Sequence, residues 1–159
     1  MLKRVKTSIR RGVGDSFAIV ASRYNARYVD AMVRAAAAEL KRCGVKGIQV
    51  VRVPGAFEIP AVAATLASEQ LPQPSAIICL GVIFQGQTSH AQHIGWGVTH
   101  ALAQIQVQHR IPVIHGVFVF EKEEHARVRC LGRKHNRGRE AAQTALTMAG
   151  VMTSLRPPA

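Results

Sequence analysis

Residues 17–53 read FAIVASRYNARYVDAMVRAAAAELKRCGVKGIQVVRV, and this stretch decides the fold. It opens on Phe17-Ala-Ile-Val-Ala21, a short apolar run that reads as a buried strand. Val29, Val33, Ala36, Ala37 and Leu40 then recur at helical spacing, and Gly44 stands where a helix stop belongs. Residues 48–53 return to β-branched types and read as a second strand, broken by Pro54-Gly55. Strand, helix and strand in immediate succession make a βαβ unit, which requires a parallel pair.

The alternation continues outward. Residues 58–68 are Ala-rich and helical, with Pro60 tolerated in the first turn. Residues 76–80 predict a third strand, closed by Gly81. A long helix follows at 92–108 and a fourth strand at 113–119. Residues 121–130 predict a charged helix and 138–152 an apolar one. The expected fold is therefore α/β: a three-layer α/β/α sandwich around a four-stranded parallel sheet, flavodoxin-like in style. Residues 1–14 form a basic arm free to add a strand to a neighbour's sheet, 15–153 one domain, and 154–159 a tail.

Composition narrows the class. The chain has 159 residues, 48% of them hydrophobic but only 5% aromatic, so its core must be built from Ala, Val, Ile and Leu. The formal net charge is +12, with Lys3, Arg4, Lys6, Arg10 and Arg11 in the first segment and a second cluster from Arg127 to Arg139. That balance favours anionic partners, whether phosphates, nucleic acid or a membrane surface. Cys43, Cys79 and Cys130 are odd in number and widely spaced, which argues against a disulfide framework and for a reduced, cytoplasmic protein. The first residues lack the apolar segment of a secretory signal, and no apolar run approaches the ~20 residues of a membrane span.

Parallel sheets place their sites at the carboxyl ends of the strands. The first strand runs into Ser22-Arg-Tyr-Asn25, the second into Pro54-Gly-Ala-Phe-Glu58, and the third into Gly81-Val-Ile-Phe-Gln-Gly-Gln-Thr-Ser-His90. One edge thus collects an aromatic ring, a carboxylate, a Gly-rich turn with hydroxyls and a histidine. Each has a structural use as well. Tyr24 could cap the core, Glu58 could complement a helix N-terminus, and Gly86-Gln-Thr88 could be an ordinary turn. Together they point to a polar, ring-containing ligand with an anionic group, since backbone N–H groups before a helix suit phosphate. His90 and His93 lie three apart, with His100 seven further on, but no Asp, Glu or Cys lies near them, and no metal is expected.

These motifs resemble a known family. Val53-Pro-Gly-Ala-Phe-Glu-Ile-Pro60 looks like the signature loop of lumazine synthases, and the segment from Gly81 to His90 is similar to that family's Gly-x-Val-Ile-Arg-Gly-x-Thr-x-His. Ser22-Arg-Tyr-Asn25 resembles its Ser/Gly-Arg-Phe-Asn turn, and Asn136-Arg-Gly138 its Asn-Lys-Gly. The resemblance runs from about Phe17 to Met152. It implies condensation of 5-amino-6-(D-ribitylamino)uracil with 3,4-dihydroxy-2-butanone 4-phosphate to 6,7-dimethyl-8-ribityllumazine, the penultimate step of riboflavin biosynthesis, with no metal and no organic cofactor.

Carried over by position, Tyr24 would stack on the pyrimidine. Ala56, Phe57 and Glu58 would line the ribityl chain. Val82, Ile83 and Phe84 would flank the heterocycle. Gln87, Thr88 and Arg129 would hold phosphate, and His90 would be the acid/base. His115 stands where the family often has a Phe that faces a neighbouring subunit's site. Gln85 replaces the usual Arg, and Tyr24 the usual Phe. His135 replaces a small residue, and Arg133 and Arg137 stand for lysines. The resemblance further implies a homopentamer with shared sites. The compact turn at 131–137 leans towards a 60-subunit icosahedral shell, whereas His135 and the self-repulsion of +12 per subunit lean against one. Two alternatives remain at this level: an archaeal-type riboflavin synthase, and a shell or packaging protein whose basic arms hold nucleic acid.

Overall fold

The computed structural model describes residue 12 and residues 15–157. Four strands alternate with helices: β1 Ser16–Ser22, α1 Ala26–Arg42, β2 Gly47–Val53, α2 Ile59–Ser68, β3 Ala76–Phe84, α3 His90–His109, β4 Val113–Phe120, α4 Glu123–Ala126 and α5 Arg137–Ser154. The sheet order is β2-β1-β3-β4 and every pair is parallel. This is the expected four-stranded sandwich: the central strands β1 and β3 are apolar on both faces, while the edge strand β2 is largely exposed.

The two faces are packed separately. Phe17, Ile19 and Ala21 of β1 point to the layer of α1 and α5, where Met32, Leu40, Ala142 and Leu146 are buried. Ala18 and Val20 point the other way, to Ile59, Ala63, Val98 and Leu102 of α2 and α3. Small residues let the layers approach closely. A Cβ at Gly138 would stand 2.0 Å from the Met32 carbonyl oxygen, so α5 crosses α1 where only hydrogen fits. Gly44 has φ 87° and ends α1, as expected.

Two elements differ from expectation. β3 does not end at Leu80; it continues to Phe84 because Val82, Ile83 and Phe84 pair with Phe118, Val119 and Phe120 of β4. Gly81 is therefore a close-packing position inside a strand, where a Cβ would press on Ser22 Oγ at 3.3 Å and on Ala56 at 3.4 Å. The charged helix is shorter and less regular than its sequence suggests. α4 is one turn long and passes into a π-helical turn, Arg127–Leu131. The Cys130 carbonyl there accepts a hydrogen bond from Asn136 Nδ2 at 2.6 Å, a tertiary contact that local composition does not show. The same Asn136 caps α5, its Oδ1 accepting from the Gly138 and Arg139 N–H groups.

Of the expected basic arm, only Gly12 is described. It is buried, and its N–H donates to the Cys43 carbonyl at 2.9 Å. The strand-adding role expected of the arm, residues 1–14, otherwise falls outside the described residues. Among the described residues no helix is long and apolar enough to cross a membrane.

Candidate active site

The carboxyl ends of β1, β2 and β3 open onto a cleft of about 700 Å³. Three short segments and one helix start build it. After β1 the chain turns through Tyr24 and Asn25. Asn25 takes the left-handed conformation, φ 57°, and its Nδ2 donates to the Val82 carbonyl at 2.7 Å. This bond ties the Tyr24 turn to the end of β3 and leaves the Tyr24 ring 68% exposed over the cleft. Asn suits this position because it tolerates positive φ better than most residues.

After β2, Pro54-Gly55 leads into a 3₁₀ turn, Ala56–Glu58, that starts α2. The Gly55 N–H donates to Glu58 Oε2 at 2.8 Å, so one carboxylate oxygen holds the turn and the side chain remains exposed at the cleft. Both readings of Glu58 thus coexist: it braces a helix start and lines the cavity. Gly55 sits so close to Tyr24 that a Cβ would meet its ring at 3.1 Å. The Phe57 ring, 63% exposed, lies beside Gly97 of α3.

The end of β3 supplies Val82, Ile83 and Phe84, and the start of α3 supplies His90, His93 and Ile94. Phe84 is held edge-on by Tyr28, with ring centroids 5.6 Å apart. Between them the loop of residues 85–89 is braced by Gln85, whose Nε2 donates to the Thr88 carbonyl at 2.8 Å. The His90 N–H meets Thr88 Oγ1 at 3.4 Å, a weak contact at the start of the helix.

The cleft thus brings together Tyr24, Ala56, Phe57, Glu58, Val82, Ile83, Phe84 and His90, all expected from sequence. Gln87 and Thr88 are exposed in the adjoining loop and do not line it, and neither do Arg129 and His115. Arg129 is exposed in the π turn. His115 lies within β4, exposed overall but with its Nε2 2.8 Å from Thr99 Oγ1 of α3, and partial desolvation of the ring holds its imidazole below the usual range. Sequence reasoning gave no lining role to Asn25, Gly55, His93 or Ile94. His93 and Ile94 were within reach, because positions three and four beyond His90 share its helix face.

The chemistry of this wall is mixed. Tyr24, Val82, Ile83, Phe84 and Ile94 offer flat apolar surface, whereas Glu58, His90 and His93 offer hydrogen bonds and proton transfer. Among the described residues no group of three or more His, Cys, Asp or Glu is placed to hold a metal ion.

The comparisons with known proteins agree with this geometry. A family model described as 6,7-dimethyl-8-ribityllumazine synthase matches residues 14–153. A 6,7-dimethyl-8-ribityllumazine synthase of Xylella fastidiosa (strain 9a5c) is 41% identical over 147 residues, covering 91% of this chain and 94% of the relative. One of Stenotrophomonas maltophilia (strain R551-3) is 39% identical over 141 residues, covering 87% and 90%. One of Xanthomonas oryzae pv. oryzae (strain PXO99A) is 40% identical over the same length. With its sheet, its cleft and nearly its whole length accounted for, the chain belongs to the 6,7-dimethyl-8-ribityllumazine synthase family.

Proposed function

We propose that the protein is a transferase of riboflavin biosynthesis. It condenses 5-amino-6-(D-ribitylamino)uracil with 3,4-dihydroxy-2-butanone 4-phosphate and releases 6,7-dimethyl-8-ribityllumazine, inorganic phosphate and water. The observation that carries this reading is the convergence of Tyr24, the Ala56–Glu58 turn, Val82–Phe84 and His90 on one cleft in a member of that family.

The pyrimidine lies against Tyr24 and the end of β3, where flat apolar groups suit a polarisable ring. The ribityl chain runs along Ala56, Phe57 and Glu58, whose carboxylate accepts from its hydroxyls. The phosphate sits at the N–H groups of Gln87 and Thr88, ahead of α3, where the helix dipole favours an anion. His90, the first residue of α3, lies between these ends. It moves protons as the Schiff base forms, phosphate leaves and the ring closes. Positioning supplies much of the rate, because both partners are reactive once aligned.

Arg129 and His115 are exposed away from this chain's own cleft. That placement supports a homopentamer in which each chain lends them to a neighbour's site, Arg129 to the phosphate. Three free, buried thiols support a reducing, cytoplasmic setting. A turnover assay tests the function. Purified protein given both substrates forms the lumazine; protein given lumazine alone forms no riboflavin. Absence of lumazine formation overturns the reading, and riboflavin from lumazine alone replaces it with a riboflavin synthase.

A further inference from the structure

We propose that His93 determines specificity at this site by hydrogen-bonding the polyhydroxylated chain of the pyrimidine substrate. The inference rests on the function proposed above. The observation is a second imidazole in the cleft, beside His90 but one turn deeper along α3.

Helix phase sets its place. His90, His93 and Gly97 share a face of α3, since they are three and four residues apart. The Phe57 ring lies against that face, with its Cε2 3.4 Å from where a Gly97 Cβ would stand. His93 therefore fills the wall between His90 and Phe57. The two histidines are placed towards different parts of the cleft: His90 adjoins the Thr88 loop, and His93 lies one turn on, towards Gly97, where the Phe57 ring of the Ala56–Glu58 turn meets α3.

The donor inventory makes the same division. A chain of neighbouring hydroxyls needs donors and acceptors in alternation. Glu58 as a carboxylate only accepts, and one of its oxygens is already taken by the Gly55 N–H at 2.8 Å. A neutral imidazole has one N–H donor and one acceptor nitrogen. The His93 ring is exposed at the cleft and makes no hydrogen bond among the described residues. It supplies what Glu58 lacks, within the same cleft. The neighbouring lining groups Ile94 and Phe57 are apolar and cannot.

The test compares two fluorescent probes, 6,7-dimethyl-8-ribityllumazine and 6,7,8-trimethyllumazine, which share the ring but not the polyol. His93→Leu weakens binding of the ribityl compound about tenfold and leaves the trimethyl compound near its wild-type affinity, the loss being that of one useful hydrogen bond. His93→Gln, which keeps a donor and an acceptor, recovers most of the preference. In turnover, KM for the ribitylaminouracil rises more than kcat falls. Equal losses for both probes, or a fall in kcat with ribityl affinity intact, would overturn the proposal; the second result would make His93 an acid/base instead. A wild-type protein that neither forms nor binds the ribityl product removes the proposed function along with it. A wild type that does both, beside a His93→Leu variant that keeps the ribityl preference, removes this inference alone.

Discussion

Two histidines illustrate how much a single residue's surroundings decide. His90 sits at an exposed helix start beside the braced loop, reachable by a substrate and by water. His90→Ala is expected to slow turnover by about 10²-fold or less, below much of the usual range for acid/base groups, because alignment of the two substrates survives. Binding of the pyrimidine should change little. Single-turnover rates of this variant that match wild type across roughly pH 6–8 would take His90 out of the mechanism. His115 is held differently. The Thr99 hydroxyl has one proton, which it donates to the Gly95 carbonyl at 2.7 Å, so towards His115 Nε2 it can only accept. His115 must then carry its proton on Nε2, and partial desolvation keeps the ring neutral to lower pH than an ordinary histidine. Nitrogen-15 NMR of the imidazole should show the Nε2–H tautomer and a titration midpoint below 6.5. A dominant Nδ1–H form would show that the Thr99 hydroxyl points elsewhere.

At the scale of elements, α1 and α5 are joined by a carboxylate as well as by the Gly138 crossing. Glu39 is 6% exposed; it accepts from Arg42 Nε and Nη2 at 3.0 and 2.7 Å and from Gln143 Nε2 at 3.0 Å. The Arg42 guanidinium holds its carboxyl below the usual value of 4.5 against the opposing effect of burial, and Gln143 lowers it further. Since the folded chain binds this proton more weakly than the unfolded chain, the stabilisation is complete above pH 4.5 and drains away as pH falls through the lower folded value. Glu39→Gln should cost about 1.5–3 kcal/mol at neutral pH, as for a hydrogen bond to a charged group, and should flatten the acid limb of the stability curve. Urea titrations at pH 7 and pH 4 measure both, and an acid limb as steep as wild type would assign the proton uptake elsewhere. Neither this tie nor the Asn136 bond to Cys130 was legible beforehand. The strands, by contrast, were visible because each is a dense apolar run, and α1 because its apolar residues keep helical phase. The end of β3 was misplaced because glycine after an apolar run reads as a turn, whereas here it lets Ala56 approach. Tyr24, Glu58 and His90 were legible because strand ends in a parallel sheet share one rim, whereas Ala56, Phe57, Val82, Ile83 and Phe84 took their roles from the family resemblance. Which end of the cleft each histidine serves depends on the phase of α3 and on where Phe57 lies.

Among the described residues several large apolar side chains are exposed. Tyr24 and Phe57 are 68% and 63% exposed at the cleft, and Trp96 and Val107 are 66% and 77% exposed along α3. The exposed α3 residues, with the exposed cleft rings, are available to pack against a neighbouring subunit. A pentamer is the expected species in phosphate buffer at moderate salt, where the charge of +12 per chain is screened. Light scattering should give the mass of five subunits or of a multiple of five. A monomer at micromolar concentration would remove the shared site and with it the proposed roles of His115 and Arg129. The three thiols have a separate consequence. Cys43, Cys79 and Cys130 are all buried, and burial pushes Cys79 up to about 12 and Cys130 to about 11. The native chain therefore offers no thiolate to an alkylating dye at neutral pH. A cysteine placed anywhere on its surface would be the sole addressable handle, so a label there would report on that position alone.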